Sequence, residues 1–321
     1  MDSQSNHFKR RLLTVLDLIG DRLDRRIIYL VVLLSLSIPL INKSVLPPAP
    51  METAQAVFKI VDALEPQPGK IALISADWGP GTQAENKSQT AVIIEHLMRR
   101  RIPFAIMSIY QLAEPFLEET PREVVKRLEQ ENPGQHWEYG KDWVNLGFQP
   151  SGWQAIRQMA QTEDIPAQLK TDYLGTPLSE IPMMAGVKTI KNIEVLFQFT
   201  GLTGVFSTWL QFFQASDYRP VFIHGCTSIT IPEAYIFYSS GQIKGFFEGI
   251  AGAAWYEKLL SDRNPERESG TALQVNTSLA FAHLVIIAFI IIGNCSYLLK
   301  QWLTRTTNTS GKLPAAGSAS V

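Results

Sequence analysis

The chain has 321 residues, 45% of them hydrophobic and 18% charged, the proportions of a folded protein rather than a disordered one. Its 29 basic and 30 acidic residues leave a net charge of -1, so no overall field gathers nucleic acid, which is not expected as a partner. With only Cys226 and Cys295, a disulfide framework and a cysteine-based zinc site are excluded.

Residues 1–26 carry Phe8, Leu12, Val15, Leu16, Ile19 and Leu23 at helical spacing, with arginines and aspartates between them. This predicts an amphipathic helix on the cytoplasmic membrane surface or against a partner helix. Residues 27–46 hold an apolar run interrupted by Pro39, with Arg25, Arg26 and Lys43 placed to snorkel at its ends, and predict a first transmembrane helix. A cleaved signal peptide is the alternative, but the only small-residue cleavage candidate, Ala54-Gln55-Ala56, lies far beyond the apolar core. Residues 278–299 contain 21 uncharged positions from Leu279 to Leu299, enough to cross about 30 Å of hydrocarbon as a second span. Residues 300–321 are read as a cytoplasmic tail, disordered after Lys312.

Lysine and arginine near the spans set orientation. Lys9, Arg10, Arg11, Arg22, Arg25 and Arg26 precede the first span, and Lys300, Arg305 and Lys312 follow the second, so both termini are expected in the cytoplasm. Residues 47–277 then form one extracytoplasmic domain tethered to the inner membrane, with membrane lipid as an expected partner.

Within that domain, residues 70–76, 104–110, 142–148, 193–199 and 219–224 read as strands. Helical patterns separate them: residues 86–101, a stretch opened by Thr120-Pro121-Arg122-Glu123 as a capping box, one capped by Ser151, and residues 207–214. Five strands alternating with helices predict a three-layer α/β sandwich with a mostly parallel sheet, flavodoxin-like in order before other Rossmann-like orders.

In such sheets ligands collect beyond the carboxyl ends of the strands. The candidate positions are Asp77, Gly79, Gly81, Thr82 and Glu85 after the first strand, Thr200 and Gly201 after the fourth, and His224, Cys226, Thr227 and Ser228 after the fifth. The Asp77 loop lacks a phosphate-loop lysine and a complete dinucleotide fingerprint, so no cofactor is named, and a plain structural turn is its simpler reading. Cys226 lacks the flanking glycines of a nucleophile elbow, which favours a buried structural thiol. His96, His136 and His283 have no ligand partner at i+3 or i+4, so no metal site is supported. Gly241, Gly245, Gly249 and Gly252 recur at near-helical spacing through residues 240–257 and predict a helix that another backbone approaches closely, from the domain's own sheet or from a second subunit.

The segments ADWGPGTQAE (76–85), YGKDWVNLGF (139–148), GTPLSEIPMM (175–184) and SGQIKGFFEGIAGAAWYE (240–257), set between two apolar runs, resemble a family of two-span bacterial and archaeal membrane proteins with a Rossmann-like extramembrane domain. No activity is known for that family, so the resemblance implies topology and no catalytic residues.

The expected function is a membrane-anchored, non-catalytic module in a homo- or hetero-oligomeric membrane assembly, binding a protein partner or small ligand. The alternative is a membrane-tethered hydrolase or transferase using Asp77, Glu85, His224 and Cys226.

Overall fold

The protein is described as a computed structural model covering residues 24–215 and 217–309. The amphipathic helix expected before Leu23 and the tail after Lys312 lie outside these residues. The chain divides into two compact units, one spanning Val45–Asn276 and one formed by the segments on either side of it.

In the flanking unit, helix α1 (Arg25–Ile41) starts behind Asp24, whose carboxylate accepts from the Arg26 amide at 2.9 Å. Seventeen residues rise about 25 Å, short of a typical hydrocarbon core. Among the described residues one helix, Thr271–Trp302, is long and apolar enough to cross a membrane by length and composition. Of the two transmembrane helices expected, one meets this test, and α1 is a shorter apolar helix that does not.

The domain opens with helix α2 (Glu52–Asp62), and its sheet follows as β1 (Ile71–Asp77), helix α3 (Gln83–Arg99), β2 (Phe104–Ser108), helix α4 (Glu114–Glu131) and β3 (Trp143–Phe148). Helices α5 (Trp153–Gln161) and α6 (Ile165–Leu169) lead to β4 (Ile193–Thr200), helix α7 (Val205–Phe213) and β5 (Val221–Cys226). The order closes with helix α8 (Ile231–Ser239), β6 (Gly245–Glu248), helix α9 (Gly249–Arg263) and helix α10 (Thr271–Thr309).

All six strands are parallel, in the order β3-β2-β1-β4-β5-β6. This is the doubly wound Rossmann order, not the flavodoxin-like order expected first: the third strand pairs with β2 instead of crossing to β1. Helices α2, α3, α4 and α9 pack against one another as one layer, while α5, α6 and α7 form another. Along β1, Ile71 and Leu73 enter the large apolar cluster that includes Ile156, Met159, Phe206 and Trp209 from the second layer.

Two local readings change. Helix α4 begins at Glu114, so Thr120 and Pro121 lie inside it, and the Thr120 hydroxyl is buried without a partner instead of capping. The glycine-striped segment is not one helix. Gly241 sits in an exposed turn at φ 74°, Gly245 opens strand β6, and Gly249 starts α9 at φ 58°. Every glycine in this row except Gly241 is crowded by the domain's own atoms. A Cβ on Gly245 would lie 2.7 Å from Val57 Cγ2 and 3.0 Å from the Thr53 carbonyl oxygen, and one on Gly252 would meet the Phe247 backbone at 3.0 Å. A four-residue strand with glycines at its border mimics helical spacing, because four residues is also about one turn.

Helix α3 is covered on most sides, and its buried residues include Glu95 and His96. Glu95 accepts a bidentate pair from Arg267, Nε at 2.7 Å and Nη2 at 2.9 Å, together with Arg99 Nε at 2.9 Å and Arg127 Nη2. Burial works against its charge, but the arginines hold its pKa down at about 2. Below an unfolded value near 4.3, such a shift contributes about 3 kcal/mol that is complete above that pH and lost as pH falls toward 2. Arg267 lies in a polar linker of mixed charge, residues 261–270, that joins α9 to α10, yet its side chain is fully buried. From Arg267 the network continues to Glu257 at 3.7 Å, whose carboxylate accepts from the Ala272 and Leu273 amides at the start of α10. Two anchored ends thus fix the linker.

Two substitutions check this packing. Gly245→Leu forces overpacking against α2 and should lower the thermal midpoint at a cost of about 1–3 kcal/mol, before any change in assembly is seen in detergent. Arg267→Ala removes the bidentate partner of a buried carboxylate and should cost about 3–5 kcal/mol in denaturant titration; an unchanged midpoint would show that the linker is not clamped.

Candidate functional site

The strand ends predicted to gather a ligand are β1, β4 and β5, and the reversal of strand order falls between β1 and β4. Asp77 ends β1 and is fully buried. Its Oδ1 accepts from the Ser108 hydroxyl at 3.0 Å and the Ile109 amide at 2.8 Å. Its Oδ2 accepts from Ser75 Oγ at 2.7 Å, Gln198 Nε2 at 3.1 Å and Trp209 Nε1 at 3.0 Å. Burial raises the carboxyl above its ordinary range against the pull of these bonds. The group is a tie between β1, β2, β4 and α7.

The loop after it is equally committed. Trp78 is buried, donates to Thr90 Oγ1 at 3.0 Å and stacks on Phe116. A Cβ on Gly79 would meet Leu112 and Tyr110 at 3.0 Å, whereas Gly81 faces open space. Thr200 donates to the Asp77 carbonyl at 2.8 Å and accepts from the Leu202 amide. Beside it, a Cβ on Gly201 would lie 2.4 Å from Thr82 Cγ2 and 2.8 Å from Thr227 Cγ2. Two methyl groups therefore fill the space at the reversal of strand order.

On β5, His224 and Cys226 share a face but bind different carbonyls. His224 Nδ1 is 3.0 Å from the Gln198 carbonyl, and its ring stacks on Phe206 at 3.9 Å. Cys226 donates its thiol to the Phe247 carbonyl at 3.1 Å, and burial pushes its pKa up to about 12, which keeps it protonated at neutral pH. Glu85 and Ser228 do come together: Glu85 Oε2 accepts from the Ser228 amide at 2.9 Å and its hydroxyl at 2.7 Å, beside Gly249, where a Cβ would lie 2.4 Å from the same oxygen. Among the described residues no group of three or more His, Cys, Asp or Glu side chains is placed to hold a metal ion.

No family model, curated protein or solved structure matches this chain. Its own geometry therefore carries the functional argument.

Sequence reasoning overlooked Gln89, whose Nε2 donates to the Cys226 carbonyl at 2.8 Å and the Gly249 carbonyl at 2.9 Å, joining β5 to α9. The available signal was an interior-rich helix with polar residues on every side. Also overlooked was a groove of about 610 Å³ between α3, α4, α9 and the first turns of α10, within the volume range of ligand pockets. Ala91, Val92, Val124 and Val275 supply apolar walls, and Lys87, Glu123 and Arg127 supply charge. Lys87 is paired with Glu119 at 2.6 Å and Glu123 at 3.0 Å, so the charge there is largely compensated. The other two segments behind the family resemblance also have packing roles. Asp172 accepts from Tyr139 at 2.8 Å and from the Leu174 and Thr176 amides, and Leu178, Ile181 and Met184 enter the core.

Burial pushes His224 down to about 3, against its bond to the Gln198 carbonyl, and His96 down to about 4, against Asp62 and Glu95. Each folded value lies below the unfolded one of about 6.5, so the unfolded state binds more protons below that pH. The stability tied to neutral burial is complete above about pH 6.5 and lost as pH falls toward 4 and 3. Asp77 and Glu257, both raised by burial, act in the opposite sense, so one histidine is read from a difference. Between pH 6 and 5, His224→Phe should reduce the slope of unfolding free energy with pH by about 1.2 kcal/mol per pH unit, close to one proton. Equal slopes would mean that His224 is not held neutral.

Proposed function

We propose that the chain is a membrane-anchored, non-catalytic α/β module, one subunit of a larger membrane assembly, whose domain binds a protein partner or small ligand outside the cytoplasm. One observation carries the reading: the strand-end region where a doubly wound sheet places its chemistry is occupied by the protein's own side chains. Asp77 is engaged by five donors, Gly201 lies under Thr82 and Thr227, and Cys226 is a buried, protonated thiol. Among the surfaces the domain leaves open are the groove beside Val124 and Val275 and the exposed apolar groups Ile229 and Ile236, 89% and 67% accessible. Exposed apolar surface of that kind suits docking.

The two-span topology belongs to the same proposal. Helix α1 exposes Tyr29, Leu30, Leu33, Ile38 and Ile41, a surface suited to lipid, and Arg25, Arg26 and Lys43 can reach the headgroups from its ends. Both termini are then cytoplasmic and the domain extracytoplasmic.

A second reading keeps a hydrolase or transferase at the same edge. It rests on Ser228, exposed and hydrogen-bonded through its hydroxyl to Glu85. The purified mass of the full chain in mild detergent separates the two. The assembly reading expects a complex larger than one chain, unaffected in composition by Ser228→Ala or Glu85→Gln. A monomer that turns over model esters and loses this with Ser228→Ala would replace it by the enzyme. Reporters fused at Val321 and within residues 261–270 should fall on opposite sides of the membrane, and the same side for both would overturn the topology.

A further inference from the structure

In α10, the residues Ala280, His283, Ile287, Ile290, Asn294 and Tyr297 follow one another at spacings of three, four, three, four and three. Such a 3,4 alternation keeps one stripe of a helix facing a neighbour over many turns, the pattern of a left-handed helix pair. Ile287, Ile290 and Tyr297 on this stripe are 50%, 56% and 65% exposed, and His283 and Asn294 are exposed with them. The face that the chain itself covers is a different one: Ala282 and Ser296 are 5% and 4% exposed and sit roughly 100–140° around the helix from His283.

Two polar groups therefore stand on the open side of a helix read as membrane-spanning. Asn294 donates Nδ2 to the Ile290 carbonyl at 2.9 Å, which leaves a second N–H and Oδ1 on the exposed side chain available for other bonds. Hydrocarbon offers no hydrogen bond, so these groups are stabilised only by another polar surface at the same depth.

We infer that the stripe is a homodimer contact, pairing α10 with α10 of a second copy of this chain in a parallel, left-handed crossing. This rests on the membrane-anchored reading and names its partner. The occupant follows from chemistry. Every copy inserts with the same orientation, so a pair of copies is parallel and brings each residue level with itself. Asparagine and neutral histidine each carry a donor and an acceptor, so each is complementary to its own copy. Ile287 and Ile290 fill the two layers between them. Asn294 occupies a position equivalent to the one at which a single asparagine selects dimeric register in parallel coiled coils.

The test uses the full chain in native-like membranes. Native Cys295 lies next to Asn294 but about 100° off the stripe, so it serves as an internal control. In a Cys295→Ser background, Ile290→Cys should form a covalent dimer on mild oxidation, while the unaltered chain with Cys295 alone should not. Asn294→Leu and His283→Leu should each raise the dimer dissociation constant about 3- to 30-fold in detergent, with the domain's thermal midpoint unchanged. Crosslinking through Cys295 but not through Ile290→Cys, or a dimer indifferent to both leucine variants, overturns the inference. If the chain purifies with other proteins and Ile290→Cys still forms no dimer, the stripe assignment fails while the assembly reading stands. If it purifies as a bare monomer, both fail.

Discussion

The Asp77 carboxylate is the constraint around which the domain is arranged. A carboxylate removed from water is costly unless its lone pairs are satisfied, and here five neutral donors from five residues converge on it. Those donors sit on β1, at the end of β2 and just after it, on β4 and on α7, so the charge can be accommodated only when three strands and a helix are all in place. The same requirement closes the strand ends. Thr200 is drawn to the Asp77 backbone, Gly201 follows it into contact with Thr82 and Thr227, and the loops after β1 and β4 meet with no room between them. A feature that sequence alone would assign to a ligand becomes a knot in the fold.

On the other layer, α3 has a comparable part. It is the central helix, and its polar residues are tied to what surrounds it: Gln89 to β5 and α9, His96 to Tyr256, Glu95 to Arg99, Arg127 and Arg267. The Glu95 contact passes the constraint into the segment after α9, and Glu257 passes it to the first amides of α10. Gly270 is required there, since a Cβ would lie 2.0 Å from Glu257 Oε1. Through these bonds the beginning of α10 belongs to the domain's buried network.

Legibility in the sequence followed the range of the interaction. The alternation of apolar runs and helical patterns located five of the six strands, because strand burial and helix periodicity are local. Strand order was legible only as far as its class, with the observed Rossmann order among the alternatives to the flavodoxin-like one, since it depends on which strands pair and no local pattern encodes that. Strand β6 was hidden because glycines bordering a four-residue strand imitate a helical turn. Asp77 was placed at the ligand edge by position, although its parity with Ile71 and Leu73 points it into the α7 layer. The Arg267 pair was invisible for a simpler reason: its partner lies 172 residues away, and a run of mixed charges usually remains in water.

Polar groups are satisfied differently in the two units. In the domain, the buried Asp77, Gln89, Glu95, His224 and Cys226 all find partners within the chain, so the fold needs no outside group to complete them. On α10 the situation is reversed. His283 and Asn294 are placed on the side that the chain leaves uncovered, although serine and alanine occupy the side that it covers. Polar side chains in a membrane helix are expensive where nothing answers them, and on α10 His283 and Asn294 lie among exposed isoleucines and leucines. If α10 lies in a membrane, as proposed, that placement leaves two polar groups to be answered from outside the chain.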